Sequence, residues 1–140
     1  MSIRIFYDNT TFRLRDWKKT REIVNKVIRN EKRISGDLNF IITDTKTLRE
    51  INIRFMEHDY DTDVITFNYN DRNSVNGEIY ISIDMVKTNS INYNVSLKDE
   101  VNRVIIHGTL HLVDYDDKNK KERNRMREME NAWLKKLMEE

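Results

Sequence analysis

Apolar and polar positions alternate in some stretches of the chain and recur every three or four residues in others, and the switches between the two periods outline its elements. "SIRIFY" sets Ile3 and Ile5 against Arg4 and is rich in β formers, which predicts a short first strand. From Asp16 onward, Trp17, Ile23, Val24, Val27 and Ile28 fall at helical spacing, so a helix should run to about Asn30. "ISGDLNFIIT" returns to period two through Leu38, Phe40 and Ile42. Asp44 then stands as the N-cap of a second helix with Leu48, Ile51 and Phe55 on one face. "DVITFNY" and "EIYISI" alternate again, and the polar stretch "NDRNSVNG" between them predicts a strand pair joined by a loop too long for a tight hairpin.

Residues 84–93 suit another helix, and Ser96 with Asp99 three positions on signals the start of the next. That helix should span about Leu97 to Val113, with Val101, Val104, Ile105, Thr109 and Leu112 along it. A last helix, about Lys120 to Met138, spaces Met126, Met129, Trp133 and Leu137 three to four apart. Its methionines Met126, Met129 and Met138 read as core-facing. The chain has no proline, repeat or low-complexity tract. Its 140 residues suit one core, so residues 1–140 are expected to form a single α+β domain of about four strands and four or five helices.

Composition narrows the chemistry. With 38% hydrophobic and 35% charged residues, both signs interspersed, the chain should fold in water. Neither a signal-peptide core nor a run near the roughly 18 apolar residues of a spanning helix is present, which predicts a soluble cytoplasmic protein. There is no cysteine, so any metal must be held by His, Asp or Glu. A net charge of +1 makes no case for a nucleic-acid partner, but residues 13–33 hold nine Lys or Arg against three acids, whereas residues 57–63 hold four acids and no Lys or Arg. The basic stretch is either an ordinary solvated helix surface or a phosphate-binding face.

His107 and His111 lie four positions apart within a segment of helical periodicity, so both imidazoles project from one face and converge. Such a pair is either a metal site or part of an ordinary amphipathic helix. Asp117 becomes a third ligand if the helix stops and the chain turns back near Asp114, a residue type that tolerates left-handed backbone; Asp116 competes for the same role. Three protein ligands leave a fourth position for water, as in catalytic zinc sites. The position after the first histidine is Gly108, so a metalloprotease reading lacks its glutamate base. His58 and the acids around it read as solvated surface, and Tyr69 and Tyr115 as core residues more than as stacking platforms for bases.

"HGTLHLVDYDD" (107–117) resembles the H-G-x-L-H-L-x-G-Y-D-H motif of the YbeY family, metal-dependent endoribonucleases that mature ribosomal RNA. "TDVITFNY" (62–69) is similar to that family's T-[DN]-V-L-S-F-P, and "GEIYIS" (77–82) to its G-D-I-x-I strand. The three motifs come in the family's order within a chain of its usual length. The resemblance implies a small mixed sheet and a zinc-like ion held by His107, His111 and Asp117, with iron or nickel as other candidates. It also implies endonucleolytic action in small-subunit rRNA maturation and ribosome quality control, with ribosomal RNA and the small subunit or its proteins as partners.

Three positions depart from the family pattern. Asp117 replaces a histidine, Asp114 replaces a glycine, and Met56 stands where the family has an arginine thought to contact RNA. Backbone contacts would then fall to the basic stretch, chiefly Arg13, Arg15, Lys18, Lys19 and Arg21. Two other readings remain: a non-catalytic ribosome-binding factor with a structural metal, and a metal-dependent hydrolase of a non-RNA substrate.

Overall fold

The computed structural model describes residues 2–139. In chain order the elements are β1 (Ser2–Tyr7), α1 (Trp17–Asn30), β2 (Ile34–Thr43), α2 (Thr45–Met56), β3 (Val64–Asn68), β4 (Ser74–Ser82), α3 (Ile83–Asn92), α4 (Leu97–Leu112) and α5 (Lys120–Glu139). The strands form one mixed sheet in the order β1-β2-β4-β3, parallel except for the β3–β4 pair. This is the expected α+β domain, a four-stranded mixed sheet with five helices among the described residues.

Strand register decides which side chains share a face. Ile5, Phe40, Ile79 and Thr66 form one row across the four strands, and Tyr7, Ile42, Ile81 and Val64 form the next. Phe40, Ile42, Ile79 and Ile81 in these rows are fully buried, each such side chain contributing on the order of 1.5–3 kcal/mol to folding. The helices supply the other half of the core. Ile23, Val24, Val27 and Ile28 of α1 and Val101, Val104, Ile105 and Leu112 of α4 are buried as their spacing predicts. Trp17 meets Phe40 edge to face at 5.9 Å.

Gly108 brings α4 onto the sheet. A Cβ at that position would stand 2.9 Å from the Ile79 Cγ2, closer than real Cβ atoms come. Only glycine lets the helix lie so near β4, and a protease-type glutamate there would be driven into Ile79.

Capping side chains set the helix starts. Asp44 accepts from the Thr47 amide at 2.9 Å, and Ser96 from the Asp99 amide at 3.1 Å, as the sequence signals predict. Asn119 does the same for α5, accepting from the Glu122 amide at 2.8 Å.

The structure corrects three expectations. The β3–β4 connection is a tight turn, because Asp71 and Ser74 exchange backbone hydrogen bonds at 3.0 and 2.9 Å and β4 begins at Ser74 instead of near Glu78. Arg72 adopts φ 54° there, a left-handed turn conformation without glycine, and so leaves no turn signature in the sequence. Tyr69 is not a core residue; it is 55% exposed and donates to Glu78 at 3.0 Å. In α5, Met126 is buried, but Met138 lies at the exposed end of the helix, 73% exposed.

Candidate metal centre

The end of α4 turns the chain back toward its own histidines. Asp114 takes φ 74°, its amide bonds to the His111 carbonyl at 3.1 Å, and the Tyr115 amide reaches the Leu110 carbonyl at 3.0 Å. These are the paired bonds of a Schellman stop, with aspartate in the position that usually belongs to glycine. Arg33, at the end of the basic stretch, ties down the turn through an ion pair with Asp114 and a 3.4 Å bond to the Leu112 carbonyl. Asn70 also bonds that carbonyl, at 2.8 Å.

The turn places Asp117 against the pair. Its Oδ2 lies 3.3 Å from His111 Nε2 and 3.5 Å from His107 Nε2, and the two Nε2 atoms are 3.0 Å apart. Ligand atoms about 2.0–2.1 Å from one tetrahedral ion stand roughly 3.3–3.4 Å from one another, so this triangle has the dimensions a zinc-sized ion requires. Asp116, the competing carboxylate, is occupied elsewhere: it accepts from the Asp117 amide at 3.0 Å and lies 3.6 Å from Lys118. Among the described residues, this trio is the group of His and acidic side chains whose ligand atoms converge closely enough for a metal.

Glu130, from the middle of α5, completes the arrangement, and nothing in the sequence pattern singles it out. It is 5% exposed, and its Oε2 accepts from His107 Nδ1 at 2.7 Å while its Oε1 accepts from Arg103 at 2.9 Å. A proton on Nδ1 leaves the lone pair of Nε2 directed at the ligand triangle, so this carboxylate selects the ligating tautomer and holds the ring's orientation. No spacing signal could have revealed Glu130, because the contact spans 23 residues and two helices.

Burial opposes charge on His107, but the hydrogen bond and charge of Glu130, helped by Asp117 and Asp63, outweigh it and raise the ring's pKa above its ordinary 6.5. Burial also opposes charge on Glu130, and the bonds from His107 and Arg103 outweigh it, holding that carboxyl below its ordinary 4.5.

These shifts set a pH dependence with a defined sign. A raised His107 pKa gives metal-free protein stability that is complete below pH 6.5 and is lost as pH rises through the higher folded value. The Glu130 contribution holds above pH 4.5 and is lost as pH falls through its lower folded value. Metal must displace the His107 proton, so metal affinity runs the other way. Thermal melts between about pH 6 and about pH 8 should show Tm of chelated protein falling with pH while the Tm increment from added zinc grows.

The three ligand atoms open into a cavity of about 600 Å³, whose walls include Asn52 and Met56 of α2, His58 and Tyr60 of the following loop, and Asp63, Thr66 and Asn68 at β3. Asp63, which the sequence places among the solvated acids of residues 57–63 as well as in the "TDV" stretch, is half-buried, and burial raises its pKa. His58 is exposed, as expected, yet it faces this cavity. Arg13, Arg15, Lys18, Lys19 and Arg21 are exposed around the start of α1 and do not line the cavity.

An α+β domain that gathers two helical histidines and a carboxylate at the wall of an open cavity has the architecture of a metallohydrolase. Comparison with known proteins is more specific. The family model described as endoribonuclease YbeY matches residues 5–138. The chain is 41% identical over 137 residues to an endoribonuclease YbeY of Chlorobaculum tepidum, 98% of either chain being covered. It is 39% identical over 134 residues to one of Cytophaga hutchinsonii, covering 95% of this chain and 94% of that one. A solution structure of a Thermotoga maritima protein superposes with a TM-score of 0.66 at 28% identity, covering 97% of this chain and 89% of the other. The chain belongs to the YbeY endoribonuclease family, a family of metal-dependent hydrolases.

Proposed function

We propose that this endoribonuclease hydrolyses phosphodiester bonds in ribosomal RNA of the small subunit, with a zinc ion held by His107, His111 and Asp117. The observation that carries the reading is the convergence of three ligand atoms, 3.0 to 3.5 Å apart, on the wall of an open cavity. A structural zinc site is normally closed by four protein ligands, whereas three ligands facing open space suit catalysis. That argues against a metal serving only to fix the chain turn. When bound there, a divalent ion supplies Lewis acidity toward a phosphate oxygen and acidifies its water.

The protein's own groups do the positioning. Glu130 keeps His107 Nδ1 protonated and Nε2 free, and Asp117 contributes negative charge that a third histidine would lack. Asp63, whose burial disfavours its ionised form, is a cavity-wall group suited to carrying a proton beside the scissile bond. The exposed cations Arg13, Arg15, Lys18, Lys19 and Arg21 would meet RNA backbone outside the cavity, through salt-sensitive contacts.

The test uses purified protein with a small-subunit rRNA fragment, before and after chelation. Chelated protein should lose cleavage and regain it with about one equivalent of zinc. Cleavage that survives complete chelation overturns the reading. Metal-free protein that still binds small subunits, alongside zinc-loaded protein that cuts no RNA, selects the binding-factor reading instead.

A further inference from the structure

The cavity beside the metal ligands has a wall that metal chemistry does not use. His58 and Tyr60 stack with ring centroids 5.1 Å apart and planes 19° from parallel, and Tyr60 Oη lies 3.0 Å from His58 Nδ1. Both line the same cavity as His107, His111 and Asp117, and Tyr60 is 54% exposed. Exposed aromatic rings on a free loop would lose this arrangement, but here α2 holds the backbone that carries them. Glu57 ends the helix at φ 57°, the His58 amide bonds to the Asn52 carbonyl at 3.1 Å, and the Asn52 side chain donates to the Tyr60 carbonyl at 2.9 Å. Asp59, the residue between His58 and Tyr60 in sequence, pairs with Arg49 at 2.9 Å. The slab is therefore preorganised.

Charge decides what can approach it. Among the described residues no Lys or Arg lines the cavity, and the loop around the rings carries Glu57, Asp59 and Asp61. A phosphate at this rim meets like charge, whereas the uncharged face of a nucleobase meets two stacked rings.

We propose that His58 and Tyr60 form a nucleobase-stacking subsite, which holds one base of the RNA next to the scissile phosphate. The subsite rests on the RNA-hydrolase reading above. It assigns recognition inside the cavity to stacking, because Met56 brings no charge to this wall.

The test measures kcat and KM of zinc-loaded protein on a short single-stranded RNA, and on the same RNA made abasic at each nucleotide flanking the cleaved bond. Tyr60→Ala should raise KM about 10-fold with zinc content per chain unchanged, and Tyr60→Phe, which keeps the ring, should stay near wild type. One abasic position should cost wild type a similar factor and cost Tyr60→Ala little more. Equal KM for wild type and Tyr60→Ala overturns the subsite while leaving the hydrolase reading intact. A Tyr60→Ala defect with no sensitivity to any abasic position overturns it as well. Wild-type protein that takes up zinc but cleaves none of these RNAs overturns both.

Discussion

His111→Ala and Asp117→Ala should each lose both bound metal and RNA cleavage while remaining folded. Elemental analysis of protein purified without added metal should find about one ion per wild-type chain and little in either variant. Cleavage should fall by more than about 100-fold, since altering groups that only support metal ligands already costs 10- to 100-fold. Neither side chain holds the core together: they are 24% and 40% exposed, against the fully buried Leu110 and Leu112 nearby. Chelated wild type and chelated variants should therefore melt within a few degrees of one another. Asp117→His, which keeps a competent zinc ligand at that position, should keep one ion per chain. Full cleavage by His111→Ala would defeat the proposed mechanism.

The second large effect is expected at Glu130, where one buried carboxylate serves both fold and site. Glu130→Ala leaves Arg103, with only 22% of its side chain exposed, without its buried ion-pair partner. Breaking such a pair typically costs about 3–5 kcal/mol, and the same change frees His107 to rotate or to take the other tautomer. Chemical denaturation should show the stability loss in metal-free protein, and zinc titration of the folded fraction should show a 10- to 100-fold weaker affinity. Glu130→Gln retains an acceptor for His107 without the charge, so it should recover part of the zinc affinity. Unchanged affinity in both variants would remove Glu130 from the site.

Much of this site is legible in the amino-acid sequence, and the reason is locality. His107 and His111 share a helix, so a four-residue spacing fixes that they converge. Asp114 and Asp117 follow within one turn and a short loop, where the left-handed tolerance of aspartate is a local property. Capping by Asp44 and Ser96 is readable on the same grounds, each signal lying within three residues of its partner. The choice of Asp117 over Asp116 is not fixed this way. Adjacent acids differ only in direction, and direction comes from the Asp116 carboxylate folding back onto the next amide.

What stays hidden depends on contacts between distant segments or on how sharply a turn closes. The β3–β4 hairpin has the sequence of a long loop because Arg72 supplies a left-handed residue that turn statistics expect from glycine or asparagine. His58 and Asp63 look like part of an acidic surface strip until α2, β3 and α4 enclose one cavity between them. The charge run of residues 13–33 gives no hint that its last member, Arg33, holds the metal-site turn while its first members do not line the cavity.

Period, spacing and residue chemistry, all short-range properties of the chain, therefore determined the elements, the α+β class and the converging ligands. The tautomer of His107 and the walls of the cavity were decided only by tertiary packing. Each requires separate segments to meet, and the energy that brings them together is the burial of a shared core, which does not specify by pattern alone which polar groups will face one another at its edge.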